Sequence, residues 1–242
     1  DFEEKSSAGP YGDCVMELDH RTGQVLDAIS EAGIEDNTIV IWISDNGPAQ
    51  TQINNTDYMG SSPGPFRGEV GDALEGSLRV PGMIKWPGKI KPGKSNEMVS
   101  IHDFFPTLAT IIGAEVPSDR PIDGFDQSDY FLGIKEQSNR DHLITFIDNE
   151  IAAVRWKNWR IYPKQFISSE GTPATLGVGS YRATGTGYPS IYNIHRDPRE
   201  EWNQVGFNAW VVGPYLQIVG KYQKSLEKYP NPAPFSMTEF MK

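Results

Sequence analysis

Residues 39 to 48 read Ile-Val-Ile-Trp-Ile-Ser-Asp-Asn-Gly-Pro, a run of bulky apolar side chains that ends in oxygen-bearing ones. A short, continuous apolar run rich in β-branched residues is typical of a strand covered on both faces in a parallel sheet. Asp45 and Asn46 follow it directly. Two interpretations are open, because Asp-Asn-Gly is common in simple turns and also suits a metal or anion site at a strand end.

Composition sets the broad class of the protein. The chain has 242 residues, of which 38% are hydrophobic and 11% aromatic, enough for a substantial core. Its formal net charge of -10 argues against binding to nucleic acid or to an anionic membrane. No stretch approaches the roughly 18 to 20 apolar residues of a membrane-spanning helix. We therefore expect a globular protein with neither nucleic acid nor membrane as its partner.

Cysteine usage and the first residues carry less information. Cys14 is the single cysteine, which excludes an internal disulfide and a zinc site built from several cysteines. Cys14 is predicted to be a packed, small apolar residue. The sequence begins Asp1-Phe-Glu-Glu-Lys-Ser6, without an initiator methionine or a signal segment, and is predicted to be an internal part of a longer chain.

The spacing of apolar residues divides the chain into two predicted domains. Residues 1 to 135 are predicted to form part of a wound α/β sheet, and residues 136 to 242 a small α+β domain with an antiparallel sheet. A long loop is expected over residues 47 to 76, and Asp103 is the expected cap of a helix that ends at Gly113. The other predicted elements are helix Tyr11 to Gly33, strands Thr38 to Ile43, Ser77 to Trp86, His142 to Ile147, Ile151 to Trp156, Trp159 to Tyr162 and Ser190 to Ile194, and a helix over Trp210 to Tyr229 interrupted at Pro214.

The strand end at Asp45 and Asn46 is the predicted functional site. In wound sheets, ligands collect at the carboxyl ends of the strands. A carboxylate and an amide carbonyl are hard oxygen donors that suit calcium or magnesium, whereas zinc more often takes His or Cys. Two ligands do not fill a calcium shell of about six to eight oxygens, so further ligands must come from elsewhere.

Short motifs spread over most of the chain resemble the formylglycine-dependent sulfatases. Each motif is weak alone, but the set follows the order of the family. The motifs are Tyr11-Gly-Asp13, Glu17-Leu-Asp19, Asp27-Ala-Ile-Ser-Glu-Ala-Gly33, Asp36-Asn-Thr38, Ser44-Asp-Asn-Gly47, Phe66-Arg-Gly68, Glu75-Gly-Ser-Leu-Arg-Val-Pro81, Trp86-Pro-Gly88, Asp103-Phe-Phe-Pro-Thr-Leu108, Asp123-Gly124, Ala153-Val-Arg-Trp156 and Tyr192-Asn-Ile-His-Arg-Asp-Pro198.

The resemblance implies an alkaline-phosphatase-like fold and an arylsulfatase-type hydrolase of sulfate esters. It implies that Asp45 and Asn46 are calcium ligands. In that chemistry a hydrated aldehyde, made from Cys or Ser in a C/S-x-P-x-R motif, attacks the sulfur atom. No such motif occurs in this sequence. The resemblance therefore implies the C-terminal half of such an enzyme, completed by an N-terminal half and inactive alone. It also implies export to a periplasm or out of the cell.

One position departs from the family pattern. Many relatives carry a sulfate-contacting lysine in an Arg-Gly-Gly-Lys-Gly stretch, whereas this sequence has Arg67-Gly-Glu-Val-Gly71, with Val70 at the lysine position. Valine cannot neutralise an oxyanion, so Arg67 or a cation from the other half is expected to bind substrate. The alternative is that Arg67 pins a loop through backbone hydrogen bonds.

Two other functions stay open from the sequence. A phosphoryl or phosphonate ester hydrolase of the same superfamily would share a metal-bearing strand end. A non-catalytic fragment or subunit would also account for the lack of a nucleophile.

Overall fold

The structure is a computed structural model that describes residues 2–49, 61–147, 150–168, 181–184 and 188–231. Its contacts divide the chain into two units. The first comprises Asp1–Ser95, Gln165–Thr184 and Ile194–Glu201, and the second comprises Asn96–Lys164, Gly185–Asn193 and Trp202–Lys242. The domain boundary after residue 135 stays a prediction. In the described part of the chain, no helix is both long enough and apolar enough to cross a bilayer.

The first unit begins with the long helix α1, Gly9–Glu31, close to the predicted span. The carboxylate of Asp13 accepts hydrogen bonds from the backbone N–H groups of the preceding segment, Glu4, Lys5 and Ser6. Gly33, at φ +66°, follows the helix end as predicted. The prediction that Cys14 is packed is wrong, because its side chain is exposed on α1.

Strand β1, Val40–Ile43, pairs with β2, Gly82–Lys85. The pairing is antiparallel, with Val40 opposite Lys85 and Ile43 opposite Gly82. The sequence predicted that this strand is covered on both faces and lies in a parallel sheet. Among the described residues, its neighbour β2 is antiparallel and all four residues of β1 are only half-buried. A continuous apolar run indicates the capacity for burial but does not specify the direction of the neighbouring strand.

A helical turn, α2 (Glu75–Leu78), replaces the predicted start of a strand at Ser77. The Nε atom of Arg79 donates to Glu75 Oε2 at 2.7 Å, one helical turn apart. This i,i+4 pair favours the helical conformation over the extended one. Strands β6 (Gln165–Ser168) and β7 (Tyr181–Thr184) form a further antiparallel pair in this unit.

The second unit opens with α3, Phe104–Ile111, which follows a 3₁₀ turn at Ile101–Asp103. Gly113, at φ +71°, follows the helix as predicted. Asp103 occupies the N-cap position of α3 as predicted, but its side chain makes no cap bond to that helix. Instead its buried carboxylate accepts hydrogen bonds from the N–H groups of Ser100 and Phe125 and pairs with Arg140.

The remaining elements of the second unit are α4 Ser128–Phe131, β3 His142–Ile147, β4 Glu150–Trp156, β5 Trp159–Tyr162, β8 Ser190–Asn193, α5 Val205–Asn208 and α6 Val212–Lys228. The predicted antiparallel sheet is confirmed, with the strand order β3-β4-β5-β8. Helix α6 packs on β4. Val154 contacts Ile218 and Val219 in one buried cluster, and Trp156 packs at its edge. The predicted interruption at Pro214 is wrong, because this proline lies in the first turn of α6, where no N–H is needed.

Candidate functional site

Asp45 and Asn46 lie at the end of β1, where the sequence placed them, and both are exposed. Asp45 Oδ1 accepts hydrogen bonds from the N–H of Asn46 at 2.9 Å and from the hydroxyl of Ser44 at 3.3 Å. The Asn46 side-chain amide donates to the carbonyl of Gly47 at 2.8 Å. The chain turns here through local side-chain bonds, which is the behaviour of Asp and Asn in turns.

Gly47 fixes this turn against α2. It is buried, and its N–H donates to the carbonyl of Ser77 at 2.7 Å. A Cβ at this position would lie 2.0 Å from the carbonyl oxygen of Gly76. Only glycine allows two backbone segments to approach so closely. The strand end is therefore held by backbone contacts rather than by the exposed side chains.

Arg67 belongs to the same part of the fold. Its carbonyl accepts a 2.8 Å hydrogen bond from the N–H of Gly76, which is the residue that contacts Gly47. Its exposed guanidinium donates from Nη2 to the carbonyl of Glu200 at 2.9 Å. Arg67 thus makes the backbone contact of a loop-pinning arginine. The same group keeps further N–H donors, so substrate binding by Arg67 stays a prediction.

Val70 also borders the strand end. Its N–H donates to the carbonyl of Pro48 at 2.9 Å, and its side chain is half-buried. Asp72 closes the same loop by accepting from the N–H groups of Glu69 and Leu74. Burial raises the pKa of Asp72 despite these hydrogen bonds. The position at which the resemblance implies a lysine is therefore apolar, and its backbone is bonded to Pro48, two residues after Asn46.

Glu75 and Glu200 support this loop from the buried side. Both are almost fully buried, and Glu200 Oε1 accepts a 2.8 Å hydrogen bond from the N–H of Glu75. Arg79 pairs with Glu75 and stacks its guanidinium 4.2 Å from the centre of the Phe66 ring. Glu200 was not among the predicted site residues, because nothing in the nearby sequence indicates its partner Glu75, 125 positions away.

The donor set of the strand end fits a hard cation. Among the described residues, Asp45 Oδ2 and Asn46 Oδ1 have no hydrogen-bond partner, and both belong to exposed side chains. Carboxylate and amide oxygens are calcium and magnesium ligands. Within the part of the chain that is described, no three His, Cys, Asp or Glu side chains are grouped to hold a metal ion. Two oxygens would supply only part of the coordination shell of such a cation.

Two solved structures that resemble this chain are sulfatases. The PsFucS1 sulfatase from Pseudoalteromonas sp. superposes with a TM-score of 0.82 at 27% identity, over 93% of this chain and 44% of that one. A Bacteroides thetaiotaomicron sulfatase from a study of glycosaminoglycan metabolism gives a TM-score of 0.75 at 26% identity, over 92% of this chain and 46% of that one. The predicted alkaline-phosphatase-like α/β class is thereby confirmed.

Sequence comparison gives the family. The family model named Sulfatase matches residues 1–114. Steryl-sulfatase from Rattus norvegicus is 35% identical over 83% of this chain and 37% of its own length. Arylsulfatase A from Homo sapiens is 33% identical over 92% of this chain and 44% of its own length. The chain belongs to the sulfatase family, and it spans less than half the length of these relatives.

Proposed function

We propose that the chain is part of a sulfuric ester hydrolase of arylsulfatase type and contributes Asp45 and Asn46 as calcium ligands. The observation that carries the proposal is the pair of adjacent oxygen donors exposed on a turn that Gly47 locks to α2. Family membership supports the reaction class, since the relatives are named steryl-sulfatase and arylsulfatase. The same names favour a sulfate ester over the phosphoryl or phosphonate alternative.

In this proposal the residues of the chain hold the cation and border the substrate. A bound calcium ion would supply positive charge to the sulfate oxygens. Asp45 and Asn46 would hold it with Oδ2 and Oδ1, the oxygens that the turn leaves exposed. Arg67, whose backbone adjoins the same turn through Gly76, would bring a second positive charge. Val70 brings none, so Arg67 would carry more of the charge neutralisation than in relatives with a lysine there.

The nucleophile and the remaining metal ligands would come from a segment outside these 242 residues. The relatives are more than twice as long as the region that they share with this chain. An apolar stripe on α1 also supports a covering segment. Val15, Leu18 and Val25 are spaced at helical intervals and are 47%, 51% and 58% exposed. A stripe of this kind normally faces another layer of the same protein.

The test uses the full open reading frame of the source gene and an aryl sulfate as substrate. We expect calcium-dependent hydrolysis that falls by at least about 100-fold in Asp45→Ala, because loss of a charged ligand weakens the site. Asp27→Ala is the matched control, since Asp27 is an exposed aspartate on α1. An aryl phosphate is assayed in parallel, and faster hydrolysis of this substrate than of the aryl sulfate would favour the phosphoryl ester hydrolase.

The isolated 242-residue chain is the second arm of the test. We expect no turnover of the aryl sulfate by this chain, even with calcium. Robust hydrolysis by the isolated chain, abolished by Asp45→Ala, would show that the catalytic centre is complete without another segment. Full activity of the longer protein after Asp45→Ala would show that Asp45 is not a ligand of the proposed calcium site.

A further inference from the structure

We infer that Glu200 is a positioning residue for the strand end that carries Asp45 and Asn46. The inference rests on the proposed function, because it assigns Glu200 to the proposed calcium site. Glu200 lies 155 positions after Asp45 in the sequence. It touches neither side chain, and it acts through two backbone segments that adjoin the turn.

The local chain holds Glu200 in an uncommon conformation. Its φ angle is +56°, a value that few residues other than glycine adopt. Its N–H donates to the carbonyl of Asp197 at 3.1 Å. The carboxylate of Asp197 in turn accepts hydrogen bonds of 2.9 and 3.1 Å from the N–H of Glu201. The tight turn aims the Glu200 side chain inward, where it is 1% exposed.

Glu200 binds two residues, Arg67 and Glu75, in the last part of the loop predicted over residues 47 to 76. Its side-chain Oε1 accepts the N–H of Glu75 at 2.8 Å, in buried surroundings. Its carbonyl accepts Nη2 of Arg67 at 2.9 Å. One residue therefore fixes the start of α2 and also restrains the arginine that we propose to face the substrate.

Two backbone hydrogen bonds carry this restraint to the calcium ligands. The N–H of Gly76, the residue after Glu75, donates to the carbonyl of Arg67 at 2.8 Å. The carbonyl of Ser77 accepts the N–H of Gly47 at 2.7 Å. Gly47 directly follows Asn46 and packs closely on Gly76, since a Cβ added at Gly47 would lie 2.0 Å from the carbonyl oxygen of Gly76. A displacement of α2 is thus passed to the turn that presents both ligand oxygens.

The chemistry of position 200 permits a sharp set of variants. Glu200→Gln keeps an acceptor oxygen at the same reach and removes the charge. Glu200→Asp keeps the charge but is one methylene shorter, so it does not reach the N–H of Glu75. Glu200→Ala removes the acceptor altogether. If Glu200 is a positioning residue, Glu200→Ala and Glu200→Asp should disturb the site strongly and Glu200→Gln only slightly.

The experiment uses the full-length protein and two readouts, the calcium concentration at half-maximal activity and the hydrogen exchange of the Gly47 amide. In Glu200→Ala and Glu200→Asp we expect a rise of about 10- to 100-fold in the calcium requirement, as found when partners behind metal ligands are removed. Exchange at Gly47 should quicken in the same variants. Glu200→Gln should stay within about threefold of the parent protein.

Two controls separate positioning from general stability. Glu201→Ala changes the neighbouring glutamate, which is exposed and pairs with Arg199, and should leave both readouts unchanged. Val154→Ala opens a cavity in the core of the second unit and should lower the melting temperature without raising the calcium requirement. If Glu200→Ala does not fold, the two readouts are compared between Glu200→Asp and Glu200→Gln instead.

The outcomes distinguish this inference from the proposed function. An unchanged calcium requirement in Glu200→Asp and Glu200→Ala, in a protein that responds to calcium, would overturn the role of Glu200 and leave the proposed function standing. A shift as large in Val154→Ala would also overturn it. A parent protein whose sulfatase activity is indifferent to calcium would instead overturn the calcium site itself.

Discussion

Gly47 and Ser77 are joined by a backbone hydrogen bond of 2.7 Å that ties the end of β1 to α2. The bond connects residues that are 30 positions apart in the sequence. Because Asn46 precedes Gly47, the geometry of the proposed ligands depends on how closely these two backbones pack. Any change that separates them should affect the site before it affects the rest of the fold.

Gly47→Ala should damage the site through a steric clash. Its Cβ would lie 2.0 Å from the carbonyl oxygen of Gly76, so one of the two segments must move. We expect loss of calcium-dependent activity in the full-length protein and a lower melting temperature. Gly23→Ala is the control, because Gly23 lies within α1 and a Cβ there meets nothing within 4 Å. This control should gain up to about 1 kcal/mol of stability.

Asp103→Ala should be among the most destabilising substitutions in the second unit. The Asp103 carboxylate is fully buried and receives hydrogen bonds from Arg140 Nε and Nη2, the shortest at 2.6 Å. Removing it leaves the buried Arg140 without its counter-charge, which costs about 3 to 5 kcal/mol.

Denaturant unfolding measures this effect. Asp119→Ala breaks an exposed ion pair with Arg120 and should leave the unfolding free energy nearly unchanged, because solvent screens the pair. Equal losses in the two variants would contradict a special role for the buried pair.

The Asp103–Arg140 pair should also make stability depend on pH. Burial opposes ionisation of Asp103, but hydrogen bonds from Arg140, Phe125 and Ser100 outweigh it and lower the pKa of its carboxyl. The folded state then binds fewer protons than the unfolded state below about pH 4, where a free aspartate titrates. This contribution is therefore full above that pH and is lost as pH falls through the folded pKa.

Unfolding free energies measured between pH 3 and pH 7 test the sign. Asp103→Asn should show a flatter acid limb than the parent protein. An identical slope in both proteins would assign the acid sensitivity to other carboxylates, such as Asp126. Burial opposes ionisation of Asp126, but hydrogen bonds from Ser128 and Thr110 lower its pKa.

The exposed stripe of α1 should respond in opposite ways in the two forms of the protein. In the isolated chain, Val15→Lys with Leu18→Lys should reduce binding of a hydrophobic dye, because both side chains are about half exposed. In the full-length protein the same pair should lower stability by about 1 to 3 kcal/mol per residue, since the stripe would be covered there. Unchanged stability of the full-length variant would show that nothing packs on this stripe.

Local patterns in the sequence predicted the second unit well. The strands from His142 to Tyr162 have clear turn boundaries, and their antiparallel pairing followed from the short spacing between them. The strand at Ser190 was also predicted, although it pairs with β5 from much farther along the chain. The glycine stops at Gly33 and Gly113 were also visible, because helix ends reuse positive φ angles. Residues close in sequence decide these features.

The supports of the candidate site were not predictable in the same way. Asp45 and Asn46 stood out because an apolar strand ends on them, but the pairing of β1 with β2 depends on residues some 40 positions away. The hydrogen bond from Glu75 to Glu200 spans 125 positions. A single sequence gives no sign of which distant acceptor will meet a given backbone donor. The local sequence therefore indicates the proposed ligands Asp45 and Asn46 but not the distant residues, such as Glu200, that support their turn.

The strand order of the second unit also has a kinetic consequence. Strands β3, β4 and β5 are neighbours in the sheet and follow one another along the chain, so their pairing needs only short loop closures. Strand β8 pairs with the edge strand β5, but a long stretch of sequence separates Tyr162 at the end of β5 from Ser190 at the start of β8. Short closures lose less chain entropy and form faster. We expect the three-stranded meander to appear first during refolding and β8 to dock in a slower phase.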